Sequence, residues 1–268
     1  MDIRQLNEMS YPDFVGYINQ WNVLPGSYVT LSKWATFSHM NANSRILQFA
    51  CTTGFQSREL AVLTGCSGKA FDLSSQAIEM ANYNLQHYAP NAQIDYFVAD
   101  GTKLKLDEKF SHVIIGAGYQ FFANPQEAIK KTVEFIEDGG YLLASPFYIK
   151  QPIPYELIEE FKTVFGISPT TLGYKDIMSM FNKLEIIYED RNELCLETED
   201  ELQYYCRCTI DRACKIRNIT DTALKQAMFD RLYKIKEMSN KLRPYQSYGV
   251  LVLRYRQSVY PKRFVELF

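Results

Sequence analysis

The sequence predicts an α/β protein built on a doubly wound, mostly parallel sheet. The first observation is an alternation from Arg45 to Ser145 of short apolar runs with stretches of helical period. The second is the kind of residue that ends each run: a glycine, an aspartate or a cluster of small polar residues, as expected where strands leave a sheet. The third is bulk composition. A chain of 268 residues with 47% hydrophobic and 22% charged residues can bury a sizeable core.

The elements are read in chain order. Residues 11–40 carry helix-like stretches rich in aromatics, interrupted by Leu24-Pro25-Gly26. The strand RILQFA (45–50) leads through ACTTG into the helix FQSRELAVL, which ends at Gly65. The strand KAFDL is next. The helix after it places Ala77, Ile78, Ala81, Leu85 and Tyr88 on one face and stops before Pro90. The strands QIDYFVA and FSHVIIG come after that. In NPQEAIKKTVEFI, Asn124 caps a helix with Pro125 in its first turn. Asp138-Gly139-Gly140 turns the chain into the strand YLLAS. Five strands with helices between them predict a parallel sheet covered on both faces. Beyond it, IPYELIEEFKTVFG and YKDIMSMFNK read as helices, LEIIYE as a sixth strand and 199–242 as a helical block. YGVLVLRY reads as a seventh strand buried on both faces.

In such a sheet, ligands bind outside the carboxyl ends of the strands. The residues there are ACTTG, Asp72, the ADGT turn with Asp100, and GAGYQFF. Asp72 lies 18 positions beyond Gly54 and can accept hydrogen bonds from two ribose hydroxyls. The alternative is a loop charge; helix capping falls better to Ser74 or Ser75. Asp100 can accept from an adenine amino group while Gly101 or Thr102 offers a backbone N–H. Ala50, Thr52 and Phe55 occupy the three G-x-G-x-x-G positions, which makes a poor pyrophosphate cradle, and no phosphate-binding lysine loop replaces it. S-adenosylmethionine carries no phosphate and tolerates these residues.

With these residues, the chain resembles the class I S-adenosylmethionine-dependent methyltransferases. Gln48 stands where that family usually has an acid, Ala50 and Thr52 stand for its first two loop glycines, and Gly54 stands for the last. Asp72 matches the ribose acid, Asp100 the adenine-side acid and GAGYQFF the segment beside the methionine end. The resemblance covers about 45–145 and the last strand. It implies a Rossmann-like seven-stranded sheet, S-adenosylmethionine as cofactor, and a cofactor site of Phe49, Ala50, Gly54, Asp72, Leu73, Asp100, Gly101, Thr102, Gly116 and Ala117. It also implies that strands six and seven are antiparallel.

The chain then divides into a helical cap (1–44), a cofactor-binding core (45–189), a helical insertion roofing the site (190–247), and the last strand with a tail (248–268). The expected pocket lining is Tyr17, Trp21, Tyr28, Tyr119, Phe122, Phe147 and Tyr148. Tyr119 and His39 are the catalytic candidates, Tyr119 to orient a nucleophile and His39 to take a proton. A core tyrosine and a helix-end histidine are the alternatives. No metal is expected: Cys206, Cys208 and Cys214 lack zinc spacing and read as buried thiols.

The expected activity is in-line methyl transfer to a small organic molecule, by a cytoplasmic monomer or homodimer. A formal charge of −2 gives no general attraction to nucleic acid or acidic membranes. The N-terminus has no apolar signal stretch, and no apolar run is long enough to span a bilayer. Arg231, Lys234, Lys236, Lys241, Arg243, Arg254, Arg256, Lys262 and Arg263 outnumber Asp230 and Glu237, which keeps RNA methylation as a rival, with a solvated helix face or a site for an anionic substrate as the alternatives. A cofactor-fold protein without catalysis is the second rival.

Overall fold

The computed structural model describes residues 1–257. Its sheet runs β3-β2-β1-β4-β5-β8-β6, and β7 also pairs with β8. The parallel strands are β1 (Arg45–Gln48), β2 (Ser67–Asp72), β3 (Gln93–Val98), β4 (Phe110–Gly116) and β5 (Ile136–Ala144). The strand β8 (Gln246–Arg254) is antiparallel both to β5 and to β7 (Glu185–Glu193). β7 therefore runs parallel to the first five, and the chain leaves it on the side of their carboxyl ends. The short β6 (Phe147–Ile149), unexpected from the sequence, pairs with the start of β8.

Period-two alternation sorts the sheet's side chains into two cores. Ile46, Ile114, Leu143, Val250 and Val252 face one way, with α3 (Ser27–Phe37), α4 (Phe55–Thr64) and α5 (Ser75–Tyr88) over them. Leu47, Val113, Ile115, Leu142, Leu251 and Leu253 face the other, covered by α6 (Pro125–Val133) and by α8 (Tyr174–Ser179). The Asp138-Gly139-Gly140 turn is absorbed inside β5: Ile136 pairs with Phe110, and the next partner of β4 is Tyr141.

A third core lies off the sheet. Leu6 of α1 (Ile3–Glu8) and Phe14 of α2 (Tyr11–Tyr17) pack with Phe165 of α7 (Tyr155–Phe165), with α9 (Glu199–Arg217) and with α10 (Thr222–Leu242). The helical block expected over 199–242 is thus two helices, split where Asn218 turns left-handed at φ 53°. Gly16 holds this unit against the sheet domain. A Cβ on it would lie 2.7 Å from the Cα of Ala77, so only glycine lets α2 touch the first turn of α5.

His112 sits buried in β4. Its Nε2 lies 3.1 Å from the Ser38 carbonyl and its Nδ1 2.8 Å from Ser111 Oγ. Burial lowers its pKa from 6.5 to about 4. The folded protein therefore binds fewer protons than the unfolded chain between these values. Stability present above pH 6.5 should fall as pH drops toward about 4, by on the order of 3 kcal/mol. Melting temperature measured across that window checks this, and His112→Gln should flatten the slope.

Candidate active site

A cavity of about 960 Å³ opens at the carboxyl ends of the strands. It lies where the strand order reverses, between the loops after β1 and β4. Its floor includes Ala50, Thr52, Asp72, Asp100, Ala117 and Gly118. Its walls come from α2, residues 20–26, α7, the loop 167–170 and α10.

The loop after β1 keeps a glycine-type backbone without the glycines. Ala50 and Thr52 have φ values of 49° and 52°, and Gly54 has 79°. For alanine and threonine the left-handed region costs about 1–2 kcal/mol each. Two interactions hold the loop there. The Thr52 N–H donates to Asp72 Oδ2 at 2.9 Å. The Tyr96 hydroxyl donates to the Gly54 carbonyl at 3.0 Å, so close that a Cβ on Gly54 would meet it at 2.6 Å. Gln48 takes over the task of an acid at the end of β1: its Oε1 accepts from the Ser57 N–H at 3.0 Å in the first turn of α4.

Asp72 is the meeting point of the floor. Its Oδ1 accepts from the Ser74 N–H at 3.0 Å, and the Ser74 hydroxyl donates to Asp13 of α2 at 2.6 Å. Burial raises the Asp72 pKa and the nearby Asp13 adds to this, while the amides of Ser74, Thr52 and Leu73 oppose it. Asp100 accepts from the Thr102 N–H at 2.9 Å and the Thr102 hydroxyl at 2.7 Å, and the hydroxyl bond leads in lowering its pKa.

Of the expected cofactor residues, Ala50, Asp72, Leu73, Asp100, Gly101, Thr102 and Ala117 line the cavity. Phe49, Gly54 and Gly116 lie beneath it: Phe49 packs edge-on against Phe71, and Gly116 is covered by Gln56. Among the expected substrate residues, Trp21, Phe122 and Phe147 reach the cavity. Tyr148 does not, because neighbours on a strand face opposite ways; it packs against Tyr174. Tyr17 is buried under the Arg217 guanidinium, and Tyr28 is exposed and packs on Phe55.

Both catalytic candidates require correction. Tyr119 is buried in the core, its hydroxyl donating to the Phe147 carbonyl at 3.3 Å, and burial raises its pKa. Gly118 and Gln120 beside it line the cavity instead. His39 is exposed in a left-handed turn after α3, ahead of β1, at the amino ends of the strands. Cys208 is exposed, whereas Cys206 and Cys214 are buried as expected. No group of three or more metal-ligating side chains occurs among the described residues. Nor is any described helix long and apolar enough to cross a membrane.

Residues missed from the sequence include Asp13, Gln20, Gln56, Tyr205, Lys236 and Arg243, all on the cavity wall. For α10 a signal was present: Lys236, Ser239 and Arg243 recur at helical spacing beside its apolar stripe.

Residues 46–140 match the sequence profile of a family described as a methyltransferase domain. The protein therefore carries a methyltransferase domain over that stretch. Among curated proteins, it is 26% identical over 113 residues to the ubiquinone/menaquinone biosynthesis C-methyltransferase UbiE of Pseudomonas paraeruginosa. That match spans 41% of this chain and 44% of the relative, less than half of its length. The crystal structure of the MccD protein has a TM-score of 0.70 at 27% identity, covering 88% of this chain and all of that one. A methyltransferase from Geobacter sulfurreducens, solved with S-adenosyl-L-homocysteine, has a TM-score of 0.68 at 15% identity and covers 92% and 99% of the two chains; it bears on the fold.

The floor of this cavity has the charge that S-adenosylmethionine would require. The cavity-lining residues from 50 to 123 include Asp72 and Asp100 but no lysine or arginine. Such a floor attracts a sulfonium and an ammonium and repels a pyrophosphate. Gln56 Oε1, beside Gly116, is a buried acceptor with no hydrogen-bond partner among the described residues, as a ligand N–H would require.

Two outcomes are expected from the loop geometry. Ala50→Gly should raise stability by about 1 kcal/mol, read as a higher denaturation midpoint, because it releases left-handed strain at a position facing the cavity. Asp72→Ala should weaken cofactor binding and also lower stability, since it frees two backbone amides at about 1–3 kcal/mol each, less where water enters through the cavity. Calorimetry and chemical denaturation on the same variant check both.

Proposed function

We propose that this protein transfers a methyl group from S-adenosylmethionine to a small organic molecule held between the strand ends and the helical unit. The observation that carries this reading is a cavity with two unlike walls. Its floor is acidic and polar, whereas its far wall is built from Trp21, Phe161, Phe165, Leu242 and Tyr248.

In this reading Asp72 accepts the ribose hydroxyls and Asp100 with Thr102 meets the adenine edge. Gln56 accepts from the amino group of the methionine end. S-adenosylmethionine supplies, when bound, the methyl carbon on its positively charged sulfur. The helical unit (1–24, 153–167 and 194–245) acts as the roof, orienting the acceptor and keeping water from the reaction. His39, His87 and His112 all lie off the cavity lining, so acceptor deprotonation does not fall to histidine.

The basic stretch argues against RNA as acceptor. Arg231 donates to the carbonyls of Leu6 and Met9. Lys236 and Arg243 pair with Glu197, Lys241 with Glu160, and Arg256 with Glu185. Arg254 donates to the Gly139 carbonyl. Each of these cations already has a partner within the fold; Lys234 is exposed, and Lys262 and Arg263 lie outside the described residues.

S-adenosylhomocysteine should stabilise the protein, by about 2.7 kcal/mol at a hundred times its dissociation constant, while a nicotinamide dinucleotide should not. The acceptor class is tested with isotopically methyl-labelled S-adenosylmethionine offered together with a metabolite extract and total RNA. Label should enter the low-molecular-weight fraction; label confined to RNA refutes the small-molecule reading.

A further inference from the structure

We infer that the Lys236–Glu197–Arg243 cluster on the cavity wall recognises an anionic group, a carboxylate or a phosphate, on the methyl acceptor. The inference rests on the proposed methyltransferase reading and adds the acceptor's chemistry to it.

The cluster is built from two segments. On α10, Lys236 and Asn240 are four residues apart, and Arg243 comes three later, so the three project from one side of the helix end. The chain leaving β7 is drawn against them. The Asn240 side chain accepts from the Glu197 N–H and donates to the Glu197 carbonyl, both at 2.9 Å. Lys236 Nζ donates to the two Glu197 carboxylate oxygens at 3.2 and 2.9 Å. Arg243 donates to Glu197 Oε2 and to the Cys195 carbonyl.

The charges do not balance. One carboxylate serves two cations, leaving one positive charge. The side chains of Lys236, Arg243 and Glu197 are only 14%, 20% and 24% exposed, and all three line the cavity. The neighbouring acids do not offset it. Glu193 lines the cavity but is held by Lys150 and the Ser247 hydroxyl. Glu201 is exposed, bonded to Thr198, and does not line the cavity. A poorly solvated excess cation favours an anion beside it.

Donors remain to receive one. An ammonium has three N–H groups and a guanidinium five. Each side chain makes two of the bonds just described, and both ends are already fixed in place by Glu197 and Cys195. The Tyr205 ring lies under the Lys236 ammonium at 4.6 Å. Phe161, Phe165 and Leu242 on the same wall offer surface for an apolar body. The acceptor class is therefore an apolar or aromatic small molecule with an anionic head. Lys236 and Arg243, the cations that line the cavity among the described residues, both belong to the roof, and the floor carries none, which sets an anionic acceptor head opposite a cationic cofactor.

The test uses the full chain with S-adenosylhomocysteine, and calorimetry with phenyl phosphate, benzoate, benzamide and benzylamine at up to millimolar concentration. At least one anion should bind about tenfold or more tightly than the neutral and cationic probes. Phenyl phosphate without benzoate assigns a phosphate head, and the reverse assigns a carboxylate. Lys236→Gln and Arg243→Gln should each weaken the anion about tenfold with unchanged affinity for S-adenosylhomocysteine. Glu197→Gln should tighten it, because a competing carboxylate is removed, whereas a cluster that merely ties the loop down predicts no gain. Neither anion binding, equal binding of benzamide or benzylamine, unchanged anion affinity in the lysine and arginine variants, or no tightening in Glu197→Gln overturns the inference. Failure of S-adenosylhomocysteine itself to bind wild-type protein is a separate result, and it counts against the methyltransferase reading rather than against the anion site.

Discussion

The site depends on one buried carboxylate. Asp72 ends β2, yet its two oxygens reach the loop after β1 through the Thr52 amide and its own succeeding turn through the Ser74 amide. Ser74 then passes the linkage to Asp13 on α2. Two strand ends and the helical unit are thereby registered on one side chain. A carboxylate suits this place because it accepts in several directions at once and donates nothing. The cost is desolvation, visible in its raised pKa. A cationic ligand bound above it would offset that cost.

The glycine-poor loop depends on the same contact. Glycine is the usual way to populate a left-handed backbone, because it has no Cβ to clash. Here Ala50 and Thr52 adopt that backbone at some expense, stabilised by the Asp72 bond and the packing around Tyr96. The loop therefore keeps the shape of a cofactor turn while losing its residue signature. Gln48 shows a parallel substitution: it lacks the charge of an acid but retains the oxygen that caps α4.

The helical unit gives the cavity its second wall. Its core is separate from the two on the sheet, and it joins three stretches of chain far apart in sequence. Gly16 against α5, and the Arg217 guanidinium bonded to Gln76 and Glu79 of α5, fix it near the sheet. The cations lining the cavity among the described residues, Lys236 and Arg243, are both on this wall, and the floor with Asp72 and Asp100 has none. Such segregation orients ligands before any close contact forms, since charge acts over longer range than packing.

The sequence by itself determined the run of parallel strands and the position of Asp72 and Asp100 at their ends. These rest on local properties: period-two and helical periodicity, and the rule that residues just beyond a parallel strand face the ligand. The family resemblance, which implies that the last two strands are antiparallel, also pointed to an insertion leaving at the ligand face. Only the tertiary structure decided which side chains reach the cavity. Tyr119 and Gly118 are adjacent, but one turns into the core and the other lines the cavity; Phe147 and Tyr148 part the same way. Nor could periodicity find that α7 joins the helical unit, or that Glu197 lies between Lys236 and Arg243. Those pairings are long-range contacts, set by how separate helices dock, and no local pattern of residues encodes them.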